Sequence, residues 1–303
     1  MKKIVESVPN FSEGRRKEVV EAIVSEAEST DNVWVFDWSM DRDHNRSVVT
    51  IVGEPEWVGE AIFKMARKAV ELIDLRHHSG AHPRMGAVDV IPFVPIKNSS
   101  MEECVELSKK VGKRIGEELN VPVYLYERSA TSEKRVNLSN IRKGQFEGFF
   151  EKIKQPEWEP DFGPKSVHPS AGVVAVGARE YLIAFNVNLR TTDVEIANKI
   201  ARAVRYSSGG YRFVKAMGVD LKEKGMVQVS MNMTNYKKTP LYRVFETIKR
   251  EAQRYGVEVA GSEIIGMIPM DTLVKTVNFY LGIDDFKDER VIESRLLDEI
   301  SRS

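Results

Sequence analysis

The chain of 303 residues carries 45 basic and 45 acidic side chains, so its formal net charge is zero. A neutral chain has no global attraction for nucleic acid or for an anionic membrane, and neither is predicted as a partner. Hydrophobic residues make up 42% and charged residues 30%, which predicts two globular domains at roughly 150 residues each and excludes a disordered or fibrous chain. A single cysteine, Cys104, excludes an intramolecular disulfide, and the absence of an apolar leader or spanning segment favours the cytoplasm.

Amphipathic helices alternate with β-rich runs through the first half of the chain. Apolar residues at helical spacing predict helices at 12–28, 55–74 and 100–119, and the last begins with the capping box Ser100-x-x-Glu103. Runs rich in β-branched and aromatic residues predict strands at 3–8, 32–37, 46–53, 88–96, 121–126 and 173–176. The sequence therefore predicts that the first half forms a mixed sheet covered by helices.

The second half has a more regular order. Strands are predicted at 181–188, 212–219, 226–234 and 257–266, with helices at 192–204 and 239–255 between them. This order of strand, helix, strand, strand, helix, strand is the split βαβ arrangement of ferredoxin-like domains. Polar residues alternate with apolar ones in 226–234, which predicts a strand with one covered and one polar face, and a terminal helix follows residue 284. The fold class is α/β (α+β), with two subdomains each containing a mixed sheet covered by helices.

A proline-rich segment separates the halves. Four of the twelve prolines fall within residues 155–169, which predicts an ordered, extended connection rather than a helix. We expect the two subdomains to span residues 1–177 and 178–303.

The densest group of chemically useful side chains is a loop between a helix and a strand. Three of the five histidines, His77, His78 and His82, lie there. On a helix, histidines four apart would hold a metal ion, but Gly80 and Pro83 break the helix that this geometry requires. A turn-forming role for these histidines is the structural alternative, and a metal-dependent hydrolase using all three is a functional one.

Two further segments could contribute to a site. Residues 37–46, predicted as a loop between strands, offer carboxylates, an imidazole, an amide and guanidiniums, although a solvated turn with internal ion pairs explains them equally well. Residues 163–172 contain small side chains and glycines that would let the backbone approach a planar ligand, or would form a rigid connector. No Walker, Rossmann, H-E-x-x-H or G-x-S-x-G motif occurs, and residue patterns alone predict a two-part α/β enzyme with a histidine loop.

Several spaced motifs resemble one known family. They are residues 8–14 (VPNFSEG), 80–90 (GAHPRMGAVDV), 118–126 (ELNVPVYLY), 161–164 (DFGP), 177–179 (GAR), 182–188 (LIAFNVN) and 261–262 (GS). In this order they resemble the formiminotransferase domain of the glutamate formimidoyltransferase family over nearly the whole chain. The resemblance implies two α/β subdomains, a folate site between them, tetrahydrofolate as one-carbon carrier, and a homodimer.

The resemblance also implies residue roles. The histidine of the family's HPRMG motif is His82, which implies a catalytic acid and base. The implied folate-contacting residues are Gly163, Pro164, Lys165, Ser166, Val167, His168, Pro169, Ser170, Ala171 and Gly172. Substrate-positioning roles are predicted for Asn10, Asp43, Asn45, Arg46 and Arg84. The two arginines are included because both substrates carry carboxylates, which local cations must hold in a chain without net charge. Ser39 departs from the family, where an aspartate is expected, and its role would then fall to Asp41 or Asp43.

The implied reaction transfers a formimidoyl group between 5-formimidoyltetrahydrofolate and the amino group of L-glutamate, without a metal. Histidine suits the proton transfers because its unperturbed pKa lies near 6.5. Two alternatives remain open besides the hydrolase. One is a glutamate formyltransferase using 5-formyltetrahydrofolate. The other is a non-catalytic folate-binding protein, which the intact His82 motif disfavours but the departure at Ser39 keeps open.

Overall fold

The computed structural model describes residues 2–300, and the chain divides into two compact units whose boundary falls between Arg179 and Glu180. Within the described residues, none of the helices is both long and apolar enough to cross a bilayer. The α/β fold class predicted from the sequence is confirmed.

Unit 1 is built on a seven-stranded mixed sheet. Its strands are β1 (Ile4–Ser7), β2 (Asn10–Phe11), β3 (Val33–Asp41), β4 (Arg46–Gly53), β5 (Val88–Lys97), β6 (Val123–Glu127) and β7 (Val174–Ala178). β1 and β2 follow one another between β4 and β5, while β3 pairs with the other side of β4. β7 lies between β5 and β6 and is parallel to both, whereas the remaining pairings described in this sheet are antiparallel.

In its described part, unit 1 has three long helices that bury an apolar stripe and three short ones. They are α1 (Lys17–Glu28), α2 (Pro55–Leu72), α3 (Met101–Glu118), α4 (Glu133–Val136), α5 (Leu138–Arg142) and α6 (Gln145–Lys152). The capping box predicted at Ser100 and Glu103 is present at the start of α3. Helix α1 starts later than predicted because Ser12 does not cap it: the Ser12 hydroxyl donates to the Gly86 carbonyl at 2.7 Å.

The segment predicted as a loop at 37–46 is largely β-structure. Strand β3 continues to Asp41 and pairs with β4 as far as Arg46, so the turn contains only residues 42–45. The strand continues because Trp38 and Met40, on alternate positions, pack against the core of unit 1. The loop prediction is therefore wrong for residues 37–41.

The proline-rich segment lies inside unit 1 and does not connect the two units. The carboxylate of Asp161 pairs with Arg135 at 2.8 Å and accepts hydrogen bonds from the Leu125 N–H at 2.8 Å and the Thr131 hydroxyl at 2.6 Å. Both charged side chains are only 8% exposed. The segment is thus fixed to the end of β6, and it contains a short 3₁₀ turn at Pro156–Trp158.

Unit 2 has the predicted ferredoxin-like order. Its elements are β8 (Ile183–Leu189), α7 (Val194–Val204), β9 (Val214–Leu221), β10 (Met226–Met233), α8 (Leu241–Arg254), β11 (Val259–Ile265), α9 (Met270–Leu281) and α10 (Ile292–Ile300). The sheet order is β11-β8-β10-β9 and all of these pairings are antiparallel, so the mixed sheet belongs to unit 1. Helix α7 is capped by Asp193, which accepts from the Glu195 N–H at 2.9 Å, rather than by Thr192.

The polar face predicted on β10 carries a hydrogen-bonded network. Gln228 is buried, and its amide donates to Asn188 at 2.8 Å and to Glu263 at 3.4 Å. Asn188 in turn donates to Glu263 at 3.2 Å. Three strands of unit 2 are therefore joined on this face by side chains as well as by backbone.

Candidate active site

Segments that are far apart in the sequence meet around Asn45. Its side-chain oxygen accepts from the Gly14 N–H at 2.9 Å, and its amide donates to the Ser79 carbonyl at 3.0 Å. Its own carbonyl oxygen lies 2.9 Å from Nε2 of His78. Asn45 is buried and has a φ of 49°, a left-handed conformation that asparagine tolerates better than most residues. One side chain therefore ties the N-terminal motif, the β3–β4 turn and the histidine loop together.

Two glycines permit this close approach. A Cβ atom on Gly14 would lie 2.2 Å from the Asp41 carbonyl oxygen, and one on Gly80 would lie 2.3 Å from the His44 carbonyl oxygen. Both contacts are far shorter than a real Cβ allows, so each position requires glycine. The VPNFSEG and GAHPRMG motifs thus contain the glycines that let the turn pack between them.

His82 lies half-buried at the centre of this arrangement. Its ring faces His44 edge-on, with 6.2 Å between ring centroids. Burial, aided by the positive charges of Arg46 and Arg142, lowers the pKa of His82 to about 3. The imidazole is therefore neutral at neutral pH and has a ring nitrogen available to accept a proton.

The two arginines that act on His82 are held differently. Arg142, on α5, forms an ion pair with Asp89, a carboxylate that is 2% exposed and also accepts from the Met85 N–H at 2.8 Å. Nε of Arg142 is buried without a hydrogen-bond partner. Burial lowers the pKa of Arg46, and its guanidinium makes no hydrogen bond or ion pair with any residue that the structure describes. The surroundings of His82 are consequently positive.

Arg84 has an internal partner. Its guanidinium binds both carboxylate oxygens of Glu147, at 2.8 and 2.6 Å, and its Nε lies 3.2 Å from Nδ1 of His78. Because Nδ1 of His78 accepts from an arginine, Nε2 carries the proton and donates to the Asn45 carbonyl. Burial also lowers the pKa of His78, so this neutral ring holds the loop.

The histidines do not assemble a metal centre. Within residues 2–300, no three side chains of the types that bind metals are grouped to hold an ion. His77 is exposed at a 3₁₀ turn, and both ring nitrogens of His78 have protein partners. The geometry offers no support for the hydrolase alternative.

The remaining predicted positioning residues lie at the edge of the site. The Asn10 amide donates to the Val8 carbonyl at 3.1 Å. Asp43 is exposed in the turn, and its N–H donates to the Asp41 carboxylate at 2.9 Å. Asp41 also lies 2.9 Å from Nδ1 of His44, whereas Ser39 lies within β3 opposite Val48.

Residues 163–172 divide into an exposed and a packed part. Lys165 is exposed and pairs with Glu159. In the packed part, the Ala171 carbonyl accepts from the Ala87 N–H at 2.9 Å. His168 is half-buried, and its Nδ1 accepts from the Ala171 N–H at 3.0 Å. The second part of the segment therefore contacts the chain just after the HPRMG motif.

The side chain of Ala171 is not accessible to a ligand, because it is 1% exposed and lies in the core of unit 1. A folate contact at this residue stays a prediction and would have to involve its backbone. Gly172 is constrained similarly, because its φ is +70° and a Cβ would lie 2.2 Å from the Met85 carbonyl oxygen.

Sequence reasoning missed three charged residues of the site, Asp89, Arg142 and Glu147. Asp89 stands inside the matched motif, in a strand that is otherwise apolar, and a buried acid in such a strand signals a cationic partner. No local pattern identifies Arg142 or Glu147 as partners, since they lie 53 and 63 residues from Asp89 and Arg84.

The site combines a neutral imidazole with two guanidiniums that share one carboxylate partner. Such a site suits an enzyme that moves a proton next to an anionic ligand. The chain belongs to the formiminotransferase domain family: residues 4–179 match its N-terminal subdomain, and residues 184–296 match the formiminotransferase domain.

Named relatives agree with this membership. A Streptococcus pyogenes serotype M1 protein named glutamate formimidoyltransferase is 52% identical over 298 residues, which are 98% of this chain and 100% of the relative. A Thermoplasma acidophilum protein of the same name is 47% identical over 295 residues, 97% of each chain. The formimidoyltransferase-cyclodeaminase of Rattus norvegicus is 45% identical over 286 residues, 92% of this chain but 53% of the relative.

Proposed function

We propose that this chain is a glutamate formimidoyltransferase, which moves the formimidoyl group between 5-formimidoyltetrahydrofolate and L-glutamate. The observation that carries the proposal is the 52% identity, from end to end, with a relative of that name. The site supports it, because the histidine of the matched HPRMG motif is neutral, half-buried and next to cations.

His82 is the proposed acid and base. The glutamate amino group must lose a proton so that its nitrogen can attack the formimidoyl carbon and form a new C–N bond. As the tetrahedral intermediate collapses, the bond between that carbon and N5 of the folate breaks, and N5 takes up a proton. One imidazole can accept the first proton and return it to N5, a contribution of roughly a hundredfold to ten-thousandfold.

Tetrahydrofolate is the carrier substrate in this proposal. Residues 163–172 remain the proposed contact for the folate, and the exposed part, from Gly163 to Ser166, is the accessible one. A homodimer is part of the same proposal and is tested by light scattering of the purified protein.

Replacing His82 tests the mechanism. His82→Asn removes the proton-accepting ring but adds no charge, so we expect turnover to fall at least a hundredfold while the protein remains folded and binds folate. His77→Asn is the matched control, because His77 is exposed and none of the contacts described around His82 involves it. Near-normal turnover by His82→Asn would refute the assigned role.

The substrate assay separates the alternatives. Wild-type protein is incubated with L-glutamate and either 5-formimidoyl- or 5-formyltetrahydrofolate, and the amino-acid product is measured. The two donors differ only in whether the transferred carbon carries a doubly bonded oxygen or nitrogen. Faster transfer from the formyl donor would favour the formyltransferase. Folate binding without transfer from either donor would favour the binding protein.

A further inference from the structure

Two guanidiniums that act on His82 have one ion-pair partner between them, Asp89. Arg142 has Asp89, but its Nε is buried and unpaired. Arg46 is half-buried and makes no hydrogen bond or ion pair with a described residue, although the charges of Asp89 and Asp41 reach it. Placing an arginine in low-dielectric surroundings without a carboxylate is costly, and proteins normally avoid it.

Other charges in the neighbourhood are already committed. The Glu147 carboxylate binds Arg84 through both oxygens. Asp41 is held by the turn, where it accepts from the N–H groups of Asp43 and His44 at 2.9 and 2.8 Å. Neither carboxylate makes an ion pair with Arg46. Arg46 thus has no ion-pair partner of its own among the described residues, and its charge is available to an anionic ligand.

We propose that Arg46 and Arg142 together bind one carboxylate of the incoming amino acid beside His82. This inference rests on the proposed function and adds Arg142 to the residues that hold the substrate. A guanidinium presents its N–H groups in a planar fork that matches a carboxylate, and only one of the two terminal nitrogens of Arg142 has a hydrogen-bond partner among the described residues, Nη2 with Asp89. Asp89 positions the fork from its other side.

Binding of this carboxylate changes the state of His82. The guanidiniums of Arg46 on β4 and Arg142 on α5 act on its ring, and His44 in the turn faces it; both arginine charges disfavour the imidazolium. A carboxylate between the arginines offsets two of these charges, so the pKa of His82 rises from about 3 toward its ordinary range. The imidazole then becomes an effective base when the amino acid is in place.

The test uses the full chain with Arg142→Lys and Arg142→Gln. Lysine keeps the charge and a partner for Asp89 but loses the fork, so we expect the KM for L-glutamate to rise about tenfold in Arg142→Lys. In Arg142→Gln, which also loses the charge, we expect the KM for L-glutamate to rise about a hundredfold. The KM for the folate donor should change less than twofold. Ile141→Val is the matched control, since it loosens the same helix without changing charge and should leave both values unchanged.

A second measurement does not need turnover. The pKa of the His82 ring is followed by NMR, with the resonance assigned by its loss in His82→Asn, in the presence and absence of glutarate. We expect glutarate to raise this pKa by more than one unit in wild type and by much less in Arg142→Gln. An equal rise in folded Arg142→Gln, or an unchanged KM for glutamate in both variants, overturns the inference. Absence of turnover in wild type would instead overturn the proposed function, while the glutarate effect would still decide the carboxylate site.

Discussion

Asp161, the first residue of the matched DFGP motif, is expected to stabilise unit 1. In Asp161→Ala, the Arg135 guanidinium, 8% exposed, loses its carboxylate, and the Leu125 N–H loses its acceptor. Breaking a buried pair from one side costs about 3–5 kcal/mol, and the unpaired N–H belongs to the same loss. Arg135 keeps the Glu157 carbonyl as an acceptor at 3.0 Å, so we expect a decrease of about 4 kcal/mol in the free energy of unfolding.

The assay for this prediction is urea unfolding monitored by tryptophan fluorescence. All four tryptophans lie before residue 180, so the signal reports on unit 1. Thr131→Val is the matched control, because it removes one hydrogen bond to the same carboxylate and a long one from Arg135 at 3.4 Å but leaves the ion pair, and it should cost about 1 kcal/mol. A loss below about 1 kcal/mol for Asp161→Ala would show that the pair does not hold the proline-rich segment in place.

Two further predictions use the same fluorescence assay. In the folded protein the pKa of His82 is lowered to about 3. As the pH falls below 6.5, His82 therefore becomes protonated in the unfolded chain but not in the folded one, which destabilises the folded state. We expect His82→Asn to lose about 2 kcal/mol less stability than wild type between pH 7 and pH 5, and equal losses would contradict the depressed pKa. Gly172→Ala combines a positive φ with a Cβ 2.2 Å from a carbonyl oxygen, so it should cost more than about 2 kcal/mol. Gly144→Ala also has a positive φ but no Cβ contact shorter than 3.5 Å, and should cost about 1 kcal/mol; similar losses at both glycines would exclude the predicted clash.

Helices with a complete one-sided stripe were predictable from the sequence, and shorter ones were not. Helix α3 has 18 residues, a capping box and buried residues at helical spacing, so its pattern was clear. Helices α4, α5 and α6 have 4, 5 and 8 residues, which is too short for a periodic pattern to emerge. Helix α9 was missed because exposed apolar side chains such as Leu273, Val277 and Phe279 obscure the difference between its faces.

The candidate site was predictable in part for a different reason. The HPRMG resemblance identified His82, and the chemistry of carboxylate substrates identified Arg46 as a cation of interest. The ion pair between Asp89 and Arg142 joins α5 to β5, and no local pattern fixes such a contact across 53 residues. Arg84 was predicted to bind substrate because of its position in the motif. The motif could not show that Glu147 already binds both terminal nitrogens of its guanidinium.

The charge distribution explains why a half-buried histidine lies near an arginine that has no carboxylate partner. If Arg46 had its own carboxylate, the site would be more stable, but the substrate would then have to compete with that carboxylate. Because Arg46 has no carboxylate partner, its positive charge helps to lower the pKa of His82 in the free site. The His82 ring therefore stays neutral until the ligand binds. An anionic amino acid removes that restriction at the same moment that it places its amino group for deprotonation. The arrangement therefore couples substrate binding to the basicity of His82 through electrostatics alone, without requiring movement of the backbone.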